Sequence, residues 1–120
     1  MTRRQILAAL ALLALLPAAA CRSRHVEVSV ENRSGADVRL LEVDYPNASF
    51  GVDALAAGAT YHYRVQVSGE GAVKVQYTDA ANHQPQMTGP TLHEDDQGRL
   101  DIVLLPAGKA DFNPQLVPSR

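Results

Sequence analysis

The sequence predicts an all-β chain, a single β-sandwich of about seven antiparallel strands. From His25 to Leu105 apolar and polar residues alternate with period two, the pattern of strands that bury one face. Turn-forming residues interrupt that alternation at intervals of roughly 8–12 residues, the spacing of sandwich and barrel strands. Past Cys21 no segment carries a helical period.

The first strand is expected over His25–Asn32, with Val26, Val28 and Val30 set against Glu27, Ser29 and Glu31. Arg33-Ser34-Gly35-Ala36 reads as a turn, where Gly35 can supply a positive φ. Asp37–Tyr45 begins with Val38 and Leu40 inward and then shifts phase to Leu41, Val43 and Tyr45. A slip in mid-strand predicts a β-bulge, or a strand covered on both faces. Pro46-Asn47-Ala48 breaks the run, and Ser49–Leu55 is a short apolar piece around Phe50 and Val52.

After the turn Ala56-Ala57-Gly58-Ala59, Thr60–Val67 alternates most cleanly: Tyr61, Tyr63, Val65 and Val67 on one side, His62, Arg64 and Gln66 on the other. Ser68-Gly69-Glu70-Gly71 is expected to close a hairpin into Ala72–Thr78, with Val73, Val75 and Tyr77 inward. Asn82–Leu92 contains Pro85 and Pro90, which place it at a sheet edge or in an irregular segment. His93–Gly98 is an acidic turn before a strong last strand, Arg99–Leu105. Residues 106–120, with Pro106, Pro114 and Pro118 and no alternation, read as a tail draped over the domain or disordered.

The first twenty residues differ in kind. Arg3 and Arg4 precede Ile6–Ala20, an apolar run interrupted by Pro17 and ending in Ala18-Ala19-Ala20 before the only cysteine, Cys21. At roughly 15 residues the run falls short of the ~20 needed to span a bilayer. It has the charged, apolar and small-residue regions of a secretory signal. With Cys21 directly after the small residues, the segment resembles a bacterial lipoprotein signal with its lipobox, although Ala18 stands where leucine is usual.

That resemblance implies cleavage between Ala20 and Cys21, a thioether-linked lipid on Cys21, and often acylation of the new amino terminus. A plain secretory peptidase could also cut after Ala20, leaving Cys21 as a lone thiol of the kind a secreted domain seldom keeps. Arg22, rather than Asp, follows the cysteine, which in enteric lipoproteins implies the outer membrane, facing the periplasm. The organisation expected is thus a signal over 1–20, a lipidated tether over 21–24, a sandwich over 25–105 and a tail over 106–120. A four-residue tether spans about 14 Å and keeps the domain against the headgroups.

The architecture over His25–Leu105 resembles an immunoglobulin-like or fibronectin-type sandwich. The antibody markers are missing, since the chain has no tryptophan and no cysteine pair. Small bacterial lipoproteins with one such domain imply a non-enzymatic, membrane-attached accessory role, binding or scaffolding an envelope protein. The other reading from a different class is a glycan- or small-ligand-binding module that uses loops at one end of the sandwich.

Charge and motifs narrow the chemistry. Without Arg3 and Arg4, nine of the 11 Lys+Arg remain against 13 Asp+Glu, a balance that disfavours nucleic acid as partner. His25, His62, His83 and His93 lack ligand spacing, and no metal or cofactor is expected. No Gly-x-Ser-x-Gly elbow or phosphate loop occurs, so no catalytic residues are assigned. Glu94-Asp95-Asp96 reads as a solvated turn rather than a calcium loop. The candidate binding face is the polar side of the expected hairpin, His62, Arg64 and Gln66 beside Lys74 and Gln76.

Overall fold

The computed structural model describes residues 24–117. The signal, the Ala20–Cys21 cleavage and the Cys21 lipid therefore lie outside the described residues. What is described is an all-β sandwich of two four-stranded sheets, with eight strands rather than seven. They are β1 (Val26–Asn32), β2 (Val38–Tyr45), β3 (Ala48–Leu55), β4 (Thr60–Val65), β5 (Gly71–Thr78), β6 (Gln86–Leu92), β7 (Gln97–Leu105) and β8 (Lys109–Val117). The first sheet has the order β4-β1-β7-β8 and the second β3-β2-β5-β6.

Two sequence expectations are corrected here. Residues 106–120 are not a tail throughout: after a 3-10 turn at Pro106–Gly108, Lys109–Val117 pairs antiparallel with β7 over its whole length. Alternation is weak there because β8 is an edge strand and Pro114 interrupts its donors, a position where proline is tolerated. The strands are also not all antiparallel. β1 runs parallel to β7 in the register Val28↔Leu100 while pairing antiparallel with β4. In the immunoglobulin arrangement the first strand lies beside the second, whereas here β1 lies between β4 and β7.

The alternating phases do set the interior. Val26, Val28, Val30, Val65, Val75, Leu100, Ile102 and Leu104 are all buried in one cluster. The phase slip in β2 is a bulge: pairing with β5 shifts between Arg39 and Glu42, and Leu40 sits at φ 50° with its side chain 63% exposed. A positive φ is costly for leucine, and the bulge is what returns Leu41 and Val43 to the core after Val38. Pro85 and Pro90 flank or interrupt β6, which is indeed an edge strand.

Aromatic side chains close both long openings between the sheets. On one side Phe50 of β3 stacks on Tyr63 of β4 at 4.6 Å between centroids and on Tyr61 at 6.2 Å. Tyr63, expected inward, points between two edge strands and stays 42% exposed. On the other side Phe112 of β8 lies over Gly89 of β6, where a Cβ would come within 2.7 Å of the ring.

Candidate functional site

Strand direction divides the sandwich into two poles. β1 rises from Arg24, and the loops that follow β1, β3, β5 and β7 gather at the opposite, distal pole. Short connections there meet a buried asparagine. Asn32 ends β1 with no exposed surface and all its polar groups used. Its Nδ2 donates to the carbonyls of Ala36 at 2.8 Å and Leu55 at 2.9 Å. Its Oδ1 accepts from the Ser34 amide at 3.0 Å and the Ser34 hydroxyl at 2.6 Å. The Asn32 backbone adds bonds to Ala59 and Gly58. One side chain thus fixes the β1–β2 turn to the end of β3.

Asp79 organises the next loop in the same manner. Its Oδ1 accepts the amides of Ala81 at 2.9 Å and His83 at 2.8 Å, and Oδ2 lies 3.5 Å from His83 Nδ1. Arg39 Nη2 donates to Asn82 Oδ1 at 2.7 Å, holding that loop to β2. Asp37 Oδ1 accepts the Ala57 amide at 2.9 Å. The turn at Ala107 and Gly108, both at positive φ, packs against Pro85.

Between these three loops lies a cleft of about 590 Å³, within the range of small-ligand sites. Ala36, Val38, Ala80, Ala81 and Pro85 give it a largely aliphatic wall, and Asp37, Asp79 and Tyr77 bring polar groups. Tyr77 is only 2% exposed, and its hydroxyl makes no hydrogen bond to any described residue. No sealed side-chain polar atom lacks a partner among the described residues. The Tyr77 hydroxyl therefore reaches solvent, and it does so from the wall of this cleft. Burial, and then the charge of Asp79, push the phenol above its ordinary pKa.

No family model and no curated protein sequence matches the chain. Its fold is similar to that of a protein from Eubacterium rectale solved by NMR, with a TM-score of 0.56 and 12% identity over 75% of this chain and 87% of that one. At that identity the likeness is one of fold alone.

The face expected from the sequence does not assemble. β4 and β5 belong to different sheets, so residues 66–70 form a crossover and not a hairpin. His62 and Arg64 lie on the outer surface of the first sheet, while Lys74 and Gln76 lie on that of the second. Gln66 is past the end of β4, in the crossover. Around His62 and Arg64 the surface is internally paired: Arg64 Nε donates to Glu27 Oε1 at 2.9 Å, and Ser29 Oγ donates to Asp101 Oδ1 at 2.7 Å. The Ser29 hydrogen bond, opposed by burial and aided by Arg99 and His62, holds the Asp101 carboxyl below the usual carboxylate range. Near Lys74, Gln86 Nε2 donates to Gln76 Oε1 at 2.9 Å, an amide pair on the second sheet.

The acidic turn also differs from expectation. Glu94 is exposed, but Asp96 is buried and its Oδ2 accepts the His93 amide at 2.9 Å. His93 Nε2 lies 2.9 Å from Glu70 Oε1. A carboxylate that caps its own turn is structural, and sequence alone shows only its charge. Among the described residues no group of three or more His, Cys, Asp or Glu is placed to hold a metal ion. Sequence reasoning missed the cleft because Asp37 and Asp79, which line it, are far apart in the chain and meet only where separate strands end, with Asn32 bracing the turn beside it. Each carried a local signal, an Asx residue beside small or turn-forming neighbours.

Proposed function

We propose that the chain is a non-enzymatic accessory protein of the bacterial cell envelope, tethered by a lipid on Cys21 and presenting its distal cleft to a partner or ligand. The polarity of the sandwich carries this reading. β1 starts at Val26, five residues after Cys21, and runs away from that point toward the cleft. Seven strand residues at about 3.3 Å each put the cleft roughly 23 Å beyond the start of the domain. A lipid at Cys21 would hold the near pole at the headgroups and leave the far loops open. Attachment through two or three acyl chains would be stable, since a single chain anchors only marginally.

The likeness to immunoglobulin-like domains is read as one of architecture, two packed sheets with loops at both ends. Arg22 after the cysteine favours the outer membrane, facing the periplasm. The cleft also favours ligand binding by sandwich loops over binding by the His62/Arg64/Lys74 surfaces, which face opposite ways.

The decisive experiment is incorporation of labelled palmitate in a bacterial host. The native chain should carry label and sediment with membranes, and Cys21→Ser should do neither. Undiminished label in Cys21→Ser would overturn the anchored reading.

A further inference from the structure

We propose that the distal cleft is a binding site for an alkylammonium group, whose charge Asp79 holds with the Tyr77 hydroxyl accepting a second hydrogen bond. This rests on reading the cleft as the working surface of the protein. Tyr77 is the observation that points to a ligand. A phenol this buried normally finds a partner, yet this one has none among the described residues and lines the cleft. Its neighbours decide what it would meet.

Asp37 and Asp79 line the cleft and no lysine or arginine does, so its formal charge is negative with His83 neutral. Each aspartate spends Oδ1 on backbone amides, which leaves the other oxygen of each carboxylate for a ligand. Asp79 Oδ2 has only the 3.5 Å approach of an exposed histidine. The aliphatic wall, Ala36, Val38, Ala80, Ala81 and Pro85, suits methylene groups behind a cationic head. An anion would meet two carboxylates there, and a neutral apolar chain would offer nothing to the phenol or to the second oxygen of either acid.

An ammonium on an alkyl stem matches this lining. It comes from two sources, a lysine side chain of a partner polypeptide or a free alkylamine.

The test titrates full-length protein, expressed with its leader and purified from membranes in detergent, with N-acetyl-lysine methylamide, butylammonium and the neutral N-acetyl-norleucine methylamide. Binding is followed by NMR at the methyls of Ala36, Ala80 and Ala81 and at the Tyr77 ring. Both cations should give saturable shifts at these positions and the neutral probe none. Raising salt from roughly 0.05 to 0.5 M should weaken the interaction.

Asp79→Asn keeps an oxygen for the Ala81 and His83 amides but loses the charge, and should weaken binding on the order of tenfold. Tyr77→Phe should weaken it severalfold while the fold, read from the remaining amide shifts, is retained. Tighter binding of the lysine probe than of butylammonium identifies a polypeptide source, and equal binding identifies a small amine. Absence of saturable shifts with both cations would overturn the site, as would equal binding of the norleucine probe or unchanged affinity in Asp79→Asn. Failed lipidation of Cys21 would overturn the anchoring, and the same titration would then be read on the protein recovered from the soluble fraction, so the two readings fail separately.

Discussion

Replacing Asn32 with alanine tests whether one buried side chain holds the distal pole together. The change deletes four hydrogen bonds while the backbone bonds of residue 32 to Ala59 and Gly58 remain available. They are not equivalent. The Leu55 carbonyl is buried, and leaving it unpaired costs about 1–3 kcal/mol. The bonds to Ala36 and Ser34 are partly open to water, which can replace them, so each counts for about 0.5–1 kcal/mol. The expected loss is therefore about 3–5 kcal/mol, a large part of the ~5–15 kcal/mol that stabilises an ordinary domain.

Urea unfolding at neutral pH measures this directly, with an unchanged m-value showing that both proteins unfold from comparable states. Hydrogen exchange at the Ser34 amide should accelerate in step, since its acceptor is gone. Asn32→Asp supplies a control of equal size. It keeps the acceptor for Ser34 but turns an oxygen toward the carbonyls of Ala36 and Leu55, which disfavours the charged form and raises the folded pKa. Its stability should therefore fall as pH rises through the unfolded value near 4, and be best in acid. A loss below about 1 kcal/mol in Asn32→Ala, with Ser34 protection intact, would refute the argument and place the stability of this pole elsewhere.

Ile102→Ala should cost about 2–5 kcal/mol through lost transfer energy and a residual cavity, whereas exposed Gln66→Ala should stay within about 0.5 kcal/mol; equal values in denaturant unfolding would mean the strand phase is misassigned. Gly89→Val should displace Phe112, cost about 1–3 kcal/mol and remove hydrogen-exchange protection from residues 109–117; unchanged protection would show that β8 does not depend on that contact. Because the Asp101 carboxyl titrates below its unfolded value, its contribution is present above about pH 4 and is lost as pH falls through the lower folded value. Asp101→Asn or Ser29→Ala should accordingly flatten the acid limb of a stability–pH curve, and an unaltered limb would count against the Ser29 bond.

The contrast between what was legible and what was not has a physical origin. Alternation reports whether a side chain faces the core, so Val28, Val65, Val75 and Ile102 were assigned correctly. The slip in β2 shows as a change of phase, but Leu40, expected inward, is exposed at the bulge. Alternation carries no information about which strand lies beside which. The run ending in Val65 and Val67 followed by Gly69-Glu70-Gly71 fits a hairpin, but the same residues fit a crossover. Val67 is buried past the end of β4, and its carbonyl accepts the Asp95 amide at 3.1 Å, so it packs the near pole while the chain changes sheets. That one step puts His62 and Lys74 on opposite outer faces and dissolves the surface expected from their spacing. β8 was hidden for a related reason. An edge strand buries little, so its pattern is faint, and what holds it is a ladder to β7 together with one ring over Gly89. The cleft lies furthest from the sequence, because Asp37, Tyr77, Asp79 and Pro85 meet only after both sheets have formed and four strands have ended at the same pole. A site built from turn residues is specified by topology, and topology is the part of this fold that periodicity does not encode.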